Sequence, residues 1–194
     1  SSNSRLRLAM TKANKNSVPK DTIERAIKKG SGQSDSSFEE ITYEGYGPKG
    51  IAVIIECLTD NKNRTVSEVR HALTKYNGSL GTKGSVSHLF KKVGILTVID
   101  TTEDDLINLI DDVEILDYEQ TGNDCIINTE PTNLFTVKTF FESKSIKTKD
   151  EELILEPTTM CDIGETDLEQ VEMFTDNLED LDDVQNIYTN INII

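Results

Sequence analysis

The sequence predicts an α+β protein in which a short helical segment precedes a larger body of mixed helices and strands. Two amphipathic helical stretches come first, a polar linker follows, and the remaining residues alternate β-rich pairs of runs with capped helices. The chain has 194 residues, 36% of them hydrophobic and 28% charged, so it is long enough to bury a substantial core.

The composition predicts a soluble protein of a reducing compartment. No window reaches the roughly 18–20 apolar residues that a membrane-spanning helix needs. The three cysteines, Cys57, Cys125 and Cys161, form no C-x-x-C pair and indicate neither a disulfide framework nor a zinc ribbon. We therefore expect a cytoplasmic location, with a mitochondrial or other organelle matrix as the alternative.

Residues 1–37 predict the end of a helical domain followed by a linker. Apolar residues from Leu6 to Ala13 recur at helical spacing, and Ile23, Ala26 and Ile27 repeat the pattern in a second short helix. Lys28, Lys29 and Gly30 predict the end of that helix, because lysines suit the helix C-terminus and glycine suits the position after it. The polar segment GSGQSDSS, residues 30–37, predicts a flexible linker.

The next elements include a β-hairpin and a capped helix. Two β-rich runs, 39–46 and 51–58, flank a Gly/Pro turn. A T-x-x-E capping box from Thr65 to Glu68 predicts a helix over 65–76, and strand material follows around 86–90 and 94–99.

The rest of the chain, rich in acidic residues, predicts further helices and strands. The predicted helices are 101–111, 132–143 and 165–181, and the predicted strands are 113–119, 125–130, 151–157 and 183–190. The strands at 113–119 and 125–130 form a second hairpin across Gly122 and Asn123.

Two glycine-rich segments resemble phosphate-binding loops without their structural context. Gly45, Gly47 and Gly50 spell G-x-G-x-x-G, but a strand follows them, whereas a dinucleotide site needs a helix there to hold the pyrophosphate. The loop 78–85 never shows the G-K-[ST] order of a Walker motif, although its glycines allow a backbone to approach an RNA or protein surface. We therefore predict a turn at the first segment and no nucleotide cofactor.

The sequence predicts neither a catalytic site nor a metal site. His71 and His88 have no cysteine or histidine partner at ligand spacing, and a dyad of Cys57 with His71 would lack a third, orienting group. The many carboxylates of 165–183 lack the residue order of a calcium-binding loop. We therefore expect a protein that is not an enzyme and needs no cofactor.

Charge is distributed unevenly along the chain and provides the main functional signal. The formal net charge is +5 over residues 1–37, +1 over 38–100 and -21 over 101–194, which together give -15. Clustered basic residues in an otherwise acidic protein favour contact with phosphates, by shape and backbone rather than base readout, because aromatic side chains are scarce beside them. The candidate nucleic-acid-binding residues are Arg5, Arg7, Lys12, Lys15, Lys20, Arg25, Lys28, Lys29, Lys62, Arg64 and Arg70.

Several motifs in residues 3–98 closely resemble the YebC/PmpR family. They include P-K-D-x-I-E-R-A-I-K-K-G from Pro19, Y-E-G-Y-G-P from Tyr43, T-D-N-x-N-R-T from Thr59, and G-S-V from Gly84. The resemblance is weaker after residue 100. The lysine-rich stretch with which family members begin matches no residue of this sequence.

The resemblance implies a helical N-terminal domain and two ferredoxin-like α/β domains, one inserted in the other. On that basis residues 1–37 end the first domain, 38–100 and 162–194 form the second, and 101–161 form the inserted third.

Members of the family have been described as DNA-binding transcriptional regulators and as translation factors acting at the ribosome. Because a charge of -21 suits a ribosome, with its basic proteins, better than duplex DNA, we favour a translation factor that contacts rRNA, tRNA or mRNA. A DNA-binding transcriptional regulator is the alternative, and a protein-binding scaffold is third. A basic protein partner would suit the acidic domains.

Overall fold

A computed structural model of the chain describes Met10, Ala13, residues 18–30 and residues 38–194. Met10 and Ala13 are helical, and the remainder of the first predicted helix lies outside the described residues. The five further helices are α1 Lys20–Gly30, α2 Lys62–Lys75, α3 Glu103–Ile110, α4 Leu134–Ser143 and α5 Glu165–Glu179. None of the described helices combines the length and the apolar character needed to cross a lipid bilayer.

The strands follow the order of the chain. They are β1 Glu39–Tyr46, β2 Ala52–Thr59, β3 Ser79–Leu80, β4 Phe90–Ile99, β5 Asp117–Thr121, β6 Asp124–Thr129, β7 Lys147–Pro157, β8 Cys161–Ile163, β9 Val184–Thr189 and β10 Ile191–Ile193. Both predicted hairpins are present, β1 with β2 and β5 with β6.

The first sheet has the strand order β3-β1-β2-β9, and its neighbouring strands are antiparallel. Alternate residues of β2 point to one face, where Val53 and Ile55 pack against Leu73 of α2 and against Phe174 and Leu178 of α5. This layer of two helices on one sheet face is the core of the first α/β unit.

Gly47 and Gly50 build the turn of the first hairpin, as the sequence predicts, whereas Gly45 lies within β1 and pairs with Val53. The turn is a short 3₁₀ segment, Pro48–Gly50, closed by the Gly47 N–H donating to the Ile51 carbonyl at 2.7 Å. Gly50 has a φ of +83°, which favours glycine, and a Cβ on Gly47 would lie 2.7 Å from the Phe174 ring. These glycines therefore serve the turn and its packing against α5.

The second sheet has the order β5-β6-β4-β7 and is antiparallel throughout. Its elements follow the chain order β4-α3-β5-β6-α4-β7, which is the ferredoxin-like βαββαβ pattern. The core of this second α/β unit includes Leu96, Leu106, Ile127, Val137 and Phe141. The predicted α+β class is confirmed, and this second unit has the ferredoxin-like order of elements.

The placement of β4 differs from the one the predicted domain boundaries imply. The division at residue 100 assigns 90–99 to the second domain, but β4 pairs with β6 and β7 and lies in the middle of the second sheet. The sequence of an apolar strand does not reveal which sheet the strand joins, because its pairing partners lie far away along the chain. The division into one domain of residues 38–100 with 162–194 and another of residues 101–161 stays a prediction.

Two local predictions are wrong. Helix α2 begins at Lys62, capped by the Asn61 side chain, so Thr65 and Glu68 form no capping box. The predicted strand at 86–90 is replaced by a 3₁₀ turn, Ser87–Leu89, and only Phe90 belongs to the continuous β4 that follows. The predicted cap of α3 is present as a reciprocal Thr102 and Asp105 capping box.

The two units contact each other through the outer face of the first sheet. Ala52 and Ile54 of β2 pack there against Val86, Phe90 and, at its edge, Leu155 of β7. Beyond this contact a groove of about 990 Å³ opens between the first sheet and β7.

We predict that Phe174→Ala lowers the free energy of unfolding by about 3–5 kcal/mol, because Phe174 is fully buried between the first sheet and α2. Urea denaturation followed by circular dichroism measures the change. The matched control is Phe135→Ala, since Phe135 is 76% exposed, and it should change the free energy by less than about 0.5 kcal/mol. Equal effects of the two substitutions would contradict the packing described for α5.

Candidate nucleic-acid interface

The structure describes only part of the basic N-terminal segment. Arg5, Arg7, Lys12 and Lys15 lie outside the described residues, and Arg25 and Lys29 are described by their backbone alone. Of the remaining two candidates in α1, Lys20 and Lys28 are both exposed, and Lys20 forms a loose surface ion pair with Glu24 at 3.9 Å. The four buried hydrophobic clusters of the described chain include no residue of α1.

The three candidates in α2 have different environments. Lys62 forms an ion pair with Glu39 of β1, and Arg64 contacts Asp60 and Asp183. Arg70 is exposed, and no partner for it is found among the described residues. Intramolecular carboxylates therefore balance two of the three cations.

Asp183 is the centre of a buried polar cluster that joins two distant loops. It is 6% exposed and follows α5, whereas its partners Thr59, Arg64 and Thr65 surround the start of α2. Arg64 Nη2 donates to both carboxylate oxygens of Asp183, at 2.9 and 2.8 Å. The Thr59 and Thr65 hydroxyls donate to Oδ2 at 3.0 and 2.7 Å. We call Thr59, Arg64, Thr65 and Asp183 the Asp183 clamp.

The clamp keeps Asp183 ionised. Burial raises the pKa of the Asp183 carboxyl, but the hydrogen bonds from Arg64, Thr65 and Thr59 lower it more, so the pKa lies below its ordinary value. Arg64 is 44% exposed, and its pKa is raised chiefly by the hydrogen bond to Asp183. Arg64 therefore has a structural partner as well as an exposed surface.

The motif T-D-N-x-N-R-T is explained by this cluster. Thr59, Arg64 and Thr65 bind Asp183, Asp60 accepts from Arg64, and Asn61 caps α2. Sequence reasoning missed Asp183 because it lies among many acidic residues at the end of α5. The only local signal is that it ends an acidic run and directly precedes the strand β9.

Neither a metal cluster nor a cysteine dyad forms within the described residues. No three His, Cys, Asp or Glu side chains in that part of the chain are arranged to hold a metal ion. Cys57 is buried in the core of the first unit, where burial raises the pKa of its thiol to about 11, while His71 is exposed on α2. The two side chains do not form a nucleophile and base.

The groove between the units is acidic. Its carboxylates face a single lysine, Lys92, and a further lining residue is the exposed Leu153 of β7. The carboxylates are Glu40, Glu56, Glu151, Glu152 and Glu179. Such a surface repels phosphates and suits a cationic neighbour.

Comparison with known proteins places the whole chain in one family. Residues 1–33 match the model of the TACO1/YebC protein N-terminal domain, and residues 38–191 match the model of the TACO1/YebC second and third domain. These two matches cover the basic helical segment and both α/β units. The chain therefore belongs to the TACO1/YebC family.

Individual relatives agree with that assignment. A probable transcriptional regulatory protein of Idiomarina loihiensis is 43% identical over 196 residues, which cover 98% of this chain and 78% of the relative. A probable transcriptional regulatory protein of Persephonella marina is 44% identical over 204 residues, covering 97% and 77%. The crystal structure of a conserved hypothetical protein from Aquifex aeolicus matches with a TM-score of 0.83 at 39% identity, covering 99% of this chain and 81% of that one. The family and the relatives' names support a regulator of gene expression.

We predict that Asp183→Asn lowers the free energy of unfolding by about 2 kcal/mol at pH 7, because it removes the charge to which three hydrogen-bond donors point. The folded-state pKa of Asp183 is depressed, so its contribution is complete above the ordinary carboxyl pKa of about 3.9 and is lost as the pH falls through the lower folded value. The difference between wild type and variant should therefore shrink below about pH 4.

Urea denaturation at several pH values measures this difference. The neighbouring Asp182 is exposed, and Asp182→Asn removes the same formal charge one residue away. If Asp183→Asn is no less stable than Asp182→Asn, the structural role of the Asp183 clamp is refuted.

Proposed function

We propose that this protein is a non-enzymatic regulator of gene expression that associates with ribosomes, using its basic helices to contact RNA phosphates. The observation that carries the proposal is the separation of charge: +5 over residues 1–37 and -21 over residues 101–194. Binding to a nucleic acid is driven by the release of its counterions, which occurs only where lysine or arginine side chains neutralise phosphates. A bound RNA would therefore contact residues 1–37 rather than residues 101–194.

The acidic groove supports this one-sided arrangement. Five carboxylates line it against one lysine, so RNA approaching from that side would be repelled. A basic protein surface would be attracted to the same carboxylates. The proposed partners are therefore ribosomal RNA or tRNA at the basic segment and a basic protein at the acidic groove, in a bacterial cytoplasm or an organelle matrix.

Among the predicted contact residues, those other than Lys62 and Arg64 are the stronger candidates. Lys62 and Arg64 pair with carboxylates of distant elements, so replacing these two would disturb folding as well as binding. Arg5, Arg7, Lys12, Lys15, Lys20, Arg25, Lys28 and Lys29 remain, together with Arg70 on the exposed face of α2. Experiments on the N-terminal residues avoid disturbing the Asp183 clamp.

The alternative function is a DNA-binding transcriptional regulator. It is favoured by the names of the relatives, which are called probable transcriptional regulatory proteins. The same basic helices would then contact duplex phosphates. The acidic units would have to point away from the duplex, because like charges repel at short range.

We predict that the triple variant Arg5→Glu, Arg7→Glu and Lys29→Glu loses ribosome co-sedimentation, because each reversal removes an attraction to phosphate and adds a repulsion. The matched control is Lys144→Glu, Lys147→Glu and Lys149→Glu, in the acidic part of the chain. Both variants have the same formal net charge, so only the position of the change differs. Equal co-sedimentation of the two variants would refute the proposal.

A salt titration with a promoter-length duplex separates the alternative. Sequence-dependent binding to duplex DNA with a Kd below about 10⁻⁸ M at physiological salt would favour the transcriptional regulator. Co-sedimentation that is lost after treatment of the ribosomes with nuclease would favour RNA contact. Co-sedimentation that survives nuclease would favour a protein-binding scaffold.

A further inference from the structure

Residues 69–99 contain no aspartate or glutamate, although the chain has 35 acidic residues. The cations of this stretch are Arg70, Lys75, Lys83, Lys91 and Lys92. Lys91 pairs with Glu156 and Lys92 faces the acidic groove, whereas Lys83 is exposed and has no partner within the described residues. Lys83 lies on a loop, residues 81–88, which we call the Glu44 loop.

A buried carboxylate holds the Glu44 loop in one conformation. Glu44 of β1 is 7% exposed, and no cation contacts it among the described side chains. Its carboxylate instead accepts from the backbone N–H groups of Gly84, Val86 and Ser87, at 2.7, 2.9 and 2.8 Å. The Gly81 N–H donates to the Glu44 carbonyl at 2.8 Å. The carboxylate and the carbonyl of Glu44 together bind four backbone N–H groups of the loop.

The tip of the loop is left open. Thr82, Lys83 and Gly84 are exposed, and Gly84 has a φ of +89° with no atom within 4 Å of the position that a Cβ would occupy. Tyr46, 38% exposed, lies against the loop and donates from its hydroxyl to the Ser85 carbonyl at 3.1 Å. An unpaired lysine, an open backbone and an exposed aromatic ring thus share one surface.

We propose that the Glu44 loop is a second RNA-contacting element, in which Lys83 meets a phosphate and Tyr46 provides a face for an unpaired base. The chemistry is that of single-stranded nucleic-acid sites, which combine cations for the backbone with aromatic rings for the bases. Because Glu44 orders the loop in advance, binding does not carry the entropic cost of ordering it. This inference rests on the proposed function and adds a site to it.

The first test compares Lys83→Ala with Lys149→Ala in the full-length chain, using bacterial 70S ribosomes and a salt titration. Both substitutions remove one exposed lysine. Lys83→Ala should weaken binding about five- to tenfold and reduce the slope of log K against log salt by about 1, whereas Lys149→Ala should change neither. Equal effects of the two variants would overturn the inference.

The second test uses Glu44→Gln, which removes a negative charge. Bulk electrostatics therefore predicts tighter binding to RNA, but the inference predicts weaker binding, because an amide cannot accept the three N–H groups as an ionised carboxylate does. Circular dichroism confirms that the variant is folded. Unchanged or tighter binding of a folded variant would overturn the inference, and an unfolded variant leaves the decision to the Lys83 comparison and to crosslinking.

Ultraviolet crosslinking of wild type to 70S ribosomes separates RNA from protein contact. A nucleotide adduct on the tryptic peptide 84–91, or on the peptide that contains Tyr46, supports the inference, and a crosslink from these peptides only to ribosomal protein overturns it. Wild type that does not bind ribosomes at all refutes the proposed function itself. If wild type binds ribosomes and Lys83→Ala binds them as Lys149→Ala does, only the RNA-contacting role of the Glu44 loop is refuted.

Discussion

The first α/β unit depends on the hydrogen bonds that converge on Asp183. The two halves of this unit, β1 to β3 and α5 to β9, are separated along the chain by the whole second unit. The Asp183 clamp ties them together by connecting the loop after α5 to the start of α2. A buried carboxylate is costly unless donors surround it, so this cluster favours one alignment of the two halves over others.

Glu44 has a comparable role elsewhere in the same unit. Both carboxylates are buried, and hydrogen bonds lower the pKa of each against the effect of burial. They differ in what they hold, because Asp183 binds side chains of a helix start while Glu44 binds the backbone of an exposed loop. One stabilises the packed unit, and the other fixes the shape of a surface segment.

The fold keeps only part of the separation of charge that the sequence shows. Five carboxylates line the groove between the units, and Lys92 of the carboxylate-free stretch 69–99 faces them. Ion pairs with Glu39 and Asp183 use part of the positive charge of α2 inside the molecule. Fewer cations are thus available to a phosphate-bearing partner than the sequence alone indicates.

The sequence by itself determined the hairpins, most helices, the turn at Gly47 and the charge separation, because all of these depend on residues close together in the chain. Only the tertiary structure decided that β4 lies in the second sheet, that Thr65 faces Asp183 instead of capping its helix, and that Glu44 holds residues 84–87. These features depend on partners far apart along the chain, and hydrogen bonds over such separations leave no periodic trace in a single sequence. Arg64 shows the consequence: its residue type indicates a phosphate contact, and the fold supplies a carboxylate first.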